Sequence, residues 1–155
     1  MSLERRWIRS FSWIGTNDIG KEIPQKETLD NVEAVLQAIM RDFPLTHINL
    51  ISVLPVSQEE RYKQKVYVRT NGKIQALNQS LSRIGPSLPP GQLCWCVFVF
   101  IGWKGAVAEA YTTDGLHLSV AGYRILAQAL QETYREKNRE RKKPNQTNLQ
   151  RKICF

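Results

Sequence analysis

Cysteine and histidine are scarce in this 155-residue chain, with three of the first and two of the second. An odd thiol count with no secretory leader argues against a disulfide framework. Cys94 and Cys96 form a C-x-C pair inside an apolar run. A metal site needs more ligands than lie nearby, so buried free thiols are the simpler reading. The most apolar run, 93–103, is too short to cross a bilayer and suits a buried strand. The N-terminal Met1-Ser2-Leu3-Glu4-Arg5-Arg6 carries charge with no apolar stretch behind it. No signal peptide is read there, and a cytoplasmic location is expected. No internal repeat is found.

Acid is in the minority, 14 Asp/Glu against 22 Lys/Arg, and the excess is not evenly spread. Residues 135–155 hold eight Lys/Arg and two Glu, a net +6 of the chain's +8. The body is therefore nearly neutral and the tail basic. Such a tail can attract nucleic acid or anionic lipid, but a charge run is more simply a solvated helix end with a disordered extension. Hydrophobic content of 42% and charged content of 23% suit one globular domain with a real core.

The chain alternates strand-like and helix-like segments. Trp7 to Trp13 reads as a strand running into a loop at Gly15. Thr28 or Asp30 is a candidate cap for a helix carrying Leu29, Val32, Val35, Leu36 and Ile39 at helical spacing, ended by Pro44. His47 to Leu54 reads as a buried strand closed by Pro55, with His47 a structural residue at its start. Tyr62 to Ile84 reads as one helix with Val66, Ile74, Leu77 and Leu81 on its apolar face and Gly72 as a weak point. Residues 84–91 form a breaker cluster, and Cys96 to Ile101 reads as a third strand. After a loop from Gly102 to Thr113, Ser119 is a good N-cap for a last helix that carries Ala121, Ile125, Leu126, Ala129 and Leu130 and runs toward Pro144. Alternation of this kind predicts an α/β fold, a three-layer α/β/α sandwich around a parallel sheet. Gly15 would then sit at the carboxyl end of a strand, the edge where ligands bind in open α/β sheets.

Two short segments carry chemistry. In Thr113-Asp114-Gly115-Leu116-His117-Leu118, a carboxylate stands three residues before an imidazole, just ahead of an amphipathic helix. The spacing suits a general base and the acid that orients it, because a catalytic histidine needs a partner on its far ring nitrogen. Ile14-Gly15-Thr16-Asn17-Asp18 is the second segment. Taken singly, Asn17 and Asp114-Gly115 could each be only a turn, and a lone loop histidine is more often a surface residue.

Together and in this order, G-x-N-D and D-x-x-H resemble two conserved blocks of the SGNH (GDSL-like) hydrolases, a family of esterases and lipases. The resemblance covers most of residues 7–134. It includes Leu50 to Val56 as the central strand and Asn71 to Leu81 as the helix after it. The subgroup most like it is the bacterial esterases resembling platelet-activating-factor acetylhydrolase. The resemblance implies that His117 is the general base, that Asp114 orients it, and that Asn17 offers its amide to the oxyanion. Gly15 and Asp18 would hold the oxyanion loop. The implied substrate is a small acyl or acetyl ester, with no metal or organic cofactor.

The pattern also breaks. The family opens on a strand ending in Gly-Asp-Ser, whose serine is the nucleophile, and no Gly-Asp-Ser occurs in this sequence. Ser2, Ser10 and Ser12 precede Asn17, but none follows a strand and glycine and leads into a helix. Residues 84–110 are more apolar than the family's counterpart, and the tail after Tyr134 has no counterpart there. The expectation is a hydrolase-like domain over 1–134 that lacks the family's first strand and helix, followed by a basic extension over 135–155. Such a chain is expected to be incomplete or inactive alone. The alternative is a non-catalytic binding module or fragment that binds a partner or self-associates through an open sheet edge. Nucleic-acid binding ranks last, because the body shows no basic aromatic platform.

Overall fold

The computed structural model describes residues 9–44, 46–87, 94–97 and 106–142. Its elements are β1 (Arg9–Trp13), α1 (Thr16–Gly20), α2 (Gln25–Asp42), β2 (His47–Ile51), α3 (Lys63–Val66), α4 (Asn71–Ser87), β3 (Cys94–Val97) and α5 (Val120–Lys142). Short 3-10 turns stand at Glu60–Tyr62 and Glu109–Tyr111. The three strands form one parallel sheet in the order β1-β2-β3, with Arg9 opposite His47 and Ile48 opposite Cys94. Parallel pairing demands crossovers, and α1–α2 and α3–α4 supply them.

The sheet's two faces hold two separate cores. Ile48 and Leu50 of β2 join Val32, Leu36 and Met40 of α2 and Ile74, Leu77, Leu81 and Ile84 of α4. Ile51, pointing the other way, joins Leu118 just ahead of α5 and Leu126 within it. This is the period-two alternation of a strand buried on both sides. It makes the three-layer α/β/α sandwich that the sequence implies. Each fully buried Leu or Ile in it is worth about 1.5–3 kcal/mol of transfer free energy.

Five expectations need correction. The helix expected to be capped by Thr28 or Asp30 starts earlier, at Gln25. Pro24 is its N-cap, and the Thr28 N–H donates to the Pro24 carbonyl at 3.0 Å. Thr28 instead packs into the core and Asp30 pairs on the surface with Lys26. Val35 points outward, 45% exposed, because Val32 and Leu36 already define the buried stripe. The segment read as one helix from Tyr62 to Ile84 is a 3-10 turn, a single turn of α-helix and the long α4. Thr70 ends the first part by capping the second, its hydroxyl accepting from Lys73 N–H at 3.2 Å. α4 also continues through Gly85 and Pro86 to Ser87, past the start of the expected breaker cluster.

β2 stops at Ile51, short of the expected Leu54. Of the third strand, Cys94–Val97 is described; residues 98–101 lie outside the described residues, as do Trp7 and Pro144. Ser119 caps α5 as expected, accepting from Gly122 N–H at 3.2 Å. Among the described residues, no helix is long and apolar enough to cross a membrane.

Candidate active site

β1 and β2 run parallel, so the chain leaves both at the same edge of the sheet, and both sequence motifs gather there. Gly15 follows β1 with φ +116°, a left-handed conformation that turns the chain into α1. A Cβ on Gly15 would stand 2.8 Å from Leu77 Cδ2 and 3.1 Å from Val53 Cγ2. The turn therefore lies directly against the segment that leaves β2. Asn17 sits in the first turn of α1 and is exposed, and Asp18 beside it is half-buried.

The histidine loop is closed on itself. Thr112 and Leu118 form an antiparallel bridge across its neck. The Thr112 hydroxyl donates to the His117 carbonyl at 2.8 Å and accepts from Gly115 N–H at 2.8 Å. Gly115 has φ +82°, and its carbonyl accepts from Ser57 N–H at 2.8 Å. This bond anchors the loop to the chain that follows β2.

Within the loop, Asp114 and His117 meet directly. Asp114 Oδ2 lies 2.8 Å from His117 Nδ1. Asp114 Oδ1 accepts from the backbone N–H groups of Leu116 at 3.1 Å and His117 at 2.7 Å. Burial alone would push the Asp114 carboxyl up. The backbone N–H of His117, its ring and the N–H of Leu116 outweigh that and hold it well below the usual carboxylate range. An ionised carboxylate only accepts hydrogen bonds, so Nδ1 is the donor in this pair, and in the neutral imidazole the lone pair is then on Nε2. The imidazole side chain is 62% exposed.

Several residues that brace this edge escaped the sequence reading. Asn78 accepts from Val53 N–H and donates to Val53 C=O, both at 2.8 Å. Asn71 does the same for Val56, at 2.8 and 3.0 Å. Lying seven residues apart, two turns of α4, the two amides take up the backbone groups of Val53 and Val56 just past the end of β2. That N-x6-N spacing was the available signal. Arg69 donates from Nε to the Thr16 carbonyl at 3.0 Å, tying down the Asn17 loop. Lys65 Nζ lies 3.6 Å from Asp114 Oδ2. Arg61 stacks over Tyr62, 4.8 Å from the ring centroid, and pairs with Glu109.

The structure thus joins Asp114 to His117 and places Asn17 on the same edge, in the first turn of α1. His47 opens β2, as expected of it. Ser57, Ser80, Ser82 and Ser119 all engage their hydroxyls with local backbone groups or, for Ser80, also with Gln25. Among the described residues, no group of three His, Cys, Asp or Glu side chains could hold a metal ion.

No protein-family model matches the chain, and neither does any curated protein. Solved structures do. A Streptococcus pneumonia protein named for platelet activating factor is 44% identical, with a TM-score of 0.77; the match covers 81% of this chain and 59% of that one. An acylhydrolase from Bacteroides fragilis is 18% identical, TM-score 0.65, over 83% of this chain and 62% of the other. A GDSL-like lipase from Bacteroides thetaiotaomicron is 21% identical, TM-score 0.60, over 82% and 62%. The chain thus spans about three fifths of the length of these relatives. Its structural neighbours are GDSL-like acylhydrolases and esterases, and its fold is the α/β fold of the SGNH hydrolases.

Proposed function

We propose that this chain carries the acid–base half of a serine-type ester hydrolase acting on small acyl or acetyl esters. The bond from His117 Nδ1 to Asp114 Oδ2, with the imidazole exposed at the carboxyl edge of the sheet, carries the reading. His117 Nε2 takes the proton of a serine hydroxyl as its oxygen adds to the ester carbonyl. Asp114, held ionised, stabilises the imidazolium that forms. The Asn17 amide donates to the carbonyl oxygen as it becomes negative, a contribution of about 3–4 kcal/mol for one such donor. His117 then returns its proton to the departing alcohol, and water, activated in the same way, releases the acid.

The serine is the component this sequence does not carry in its family context. A segment with a strand and Gly-Asp-Ser would deliver it to the edge beside Gly15. The test adds such a segment to the chain and follows a fluorophosphonate probe by intact mass, with p-nitrophenyl acetate hydrolysis alongside. One adduct on the reconstituted protein, with turnover, both absent in His117→Ala, is expected. A folded reconstruction that neither labels nor turns over rejects the reading. Labelling of the unsupplemented chain that vanishes in His117→Ala would instead locate the nucleophile on a serine of its own.

A further inference from the structure

Thr112 is buried at the neck of the histidine loop, and its hydroxyl makes two bonds. It accepts from Gly115 N–H at 2.8 Å and donates to the His117 carbonyl at 2.8 Å. Gly115 N–H belongs to the peptide unit that follows Asp114. The His117 carbonyl belongs to the peptide unit that follows His117. One buried hydroxyl therefore holds the backbone immediately after each member of the acid–imidazole pair.

The stretch between the pair includes Gly115, whose backbone is the least restricted of any residue's. His117 N–H donates to Asp114 Oδ1 at 2.7 Å. With its carbonyl on Thr112, both peptide groups of His117 are fixed, and its Cβ leaves the chain in a set direction toward Asp114 Oδ2. Thr113 also serves that carbonyl, through its N–H at 3.0 Å and through an exposed hydroxyl at a weak 3.4 Å. The bridge from Thr112 to Leu118, and the bond from Ser119 N–H to the Tyr111 carbonyl at 2.9 Å, are made by backbone alone. They close the neck without the Thr112 hydroxyl, so what the hydroxyl adds is order inside the loop.

We propose that Thr112 is a positioning residue: through its hydroxyl it sets the His117 ring against Asp114, and so keeps the proton of the neutral ring on Nδ1. The inference rests on the ester-hydrolase reading of the same site, in which Nε2 needs its lone pair to take the serine proton. Thr112 acts through the loop and not on a reactant.

No nucleophile is needed to test this, because the ring nitrogens report it by NMR at about pH 8, where free imidazole is neutral. Asp114→Ala supplies the signature of a ring released from its carboxylate. Wild type should show His117 with its proton on Nδ1. Thr112→Val keeps the branched shape and the backbone neck but loses the hydroxyl. In it the ratio of the Nδ1–H to the Nε2–H tautomer should fall by about three- to tenfold, the size of one hydrogen bond. Thr112→Ser, which keeps the hydroxyl, and Thr113→Val should both stay within about twofold of wild type. Thr112→Val with the wild-type ratio overturns the assignment and leaves the ester reading standing. So does an equal fall in Thr112→Ser or Thr113→Val, since the buried hydroxyl is then not the cause. A second measurement needs no variant: in wild type, Gly115 N–H should exchange with deuterium at least about tenfold more slowly than a free peptide amide. Exchange at the free rate overturns the assignment too. A wild-type ring with the Asp114→Ala signature overturns the ester reading and this inference with it.

Discussion

Replacing Asp114 with alanine removes three hydrogen-bond acceptances at once. Oδ1 loses the N–H groups of Leu116 and His117, and Oδ2 loses the His117 ring. A bond to a charged acceptor contributes about 1.5–3 kcal/mol, but the exposed ring contact belongs with surface pairs worth about 0–1. Water reaches the two freed N–H groups at this edge and offsets part of their loss. The net cost is about 1.5–3 kcal/mol at neutral pH. Asp114→Asn keeps a neutral oxygen for both N–H groups and should cost about 1 kcal/mol.

The pH dependence has a definite sign. The folded carboxyl is held below its usual range, so its stabilisation is fully present above the unfolded value of about 3.9. It is lost as pH falls through the folded value, when the carboxyl protonates in both states. Urea unfolding of wild type and Asp114→Ala at pH 7, 4 and 3 should therefore show the gap at its widest at pH 7 and narrowing at pH 3. A gap under about 0.5 kcal/mol at pH 7, or one unchanged at pH 3, would refute the account of the loop.

The Asn17 turn should be equally intolerant of a side chain at Gly15. Alanine there would crowd Leu77 and Val53 while holding φ at +116°, and should cost about 2 kcal/mol, seen as a melting temperature lower by about 4–8 °C. An unchanged melting temperature would show that the turn can move aside. Asn78→Ala should cost about 2–4 kcal/mol by chemical denaturation, since it strips both backbone partners from Val53, a residue 1% exposed. A cost below about 1 kcal/mol would mean that water replaces the amide.

The sandwich was legible in the sequence because its strands are short apolar runs and its helices repeat their apolar residues at three and four. Boundaries were less legible, and the reason is chemical. Val53 and Val56 continue the apolar run of β2, yet the strand ends at Ile51 because their backbone groups bond to Asn78 and Asn71 instead of to another strand. The period through Val66, Ile74, Leu77 and Leu81 is equally real, since all four are buried in one core. It cannot show that Thr70 restarts the helix, because a cap competes with propagation through a single hydroxyl.

The site divides along the same line between near and far. Asp114 and His117 were legible because their contact is local: three residues, one glycine with positive φ, and a carboxylate whose two oxygens serve the backbone and the ring. The bracing around them was not, because Arg69 reaches Thr16 across 53 residues and Asn78 reaches Val53 across 25. Such contacts exist only once parallel strands have brought their carboxyl ends to one edge. The same geometry explains why the D-x-x-H loop keeps its shape where the Gly-Asp-Ser pattern is absent. Its internal bonds run between Thr112 and Leu118, and its anchor is Ser57. An imidazole and a carboxylate held this way owe their arrangement to the loop's own bonds, and under the proposed ester-hydrolase reading that is the part a reconstitution would complete with a serine.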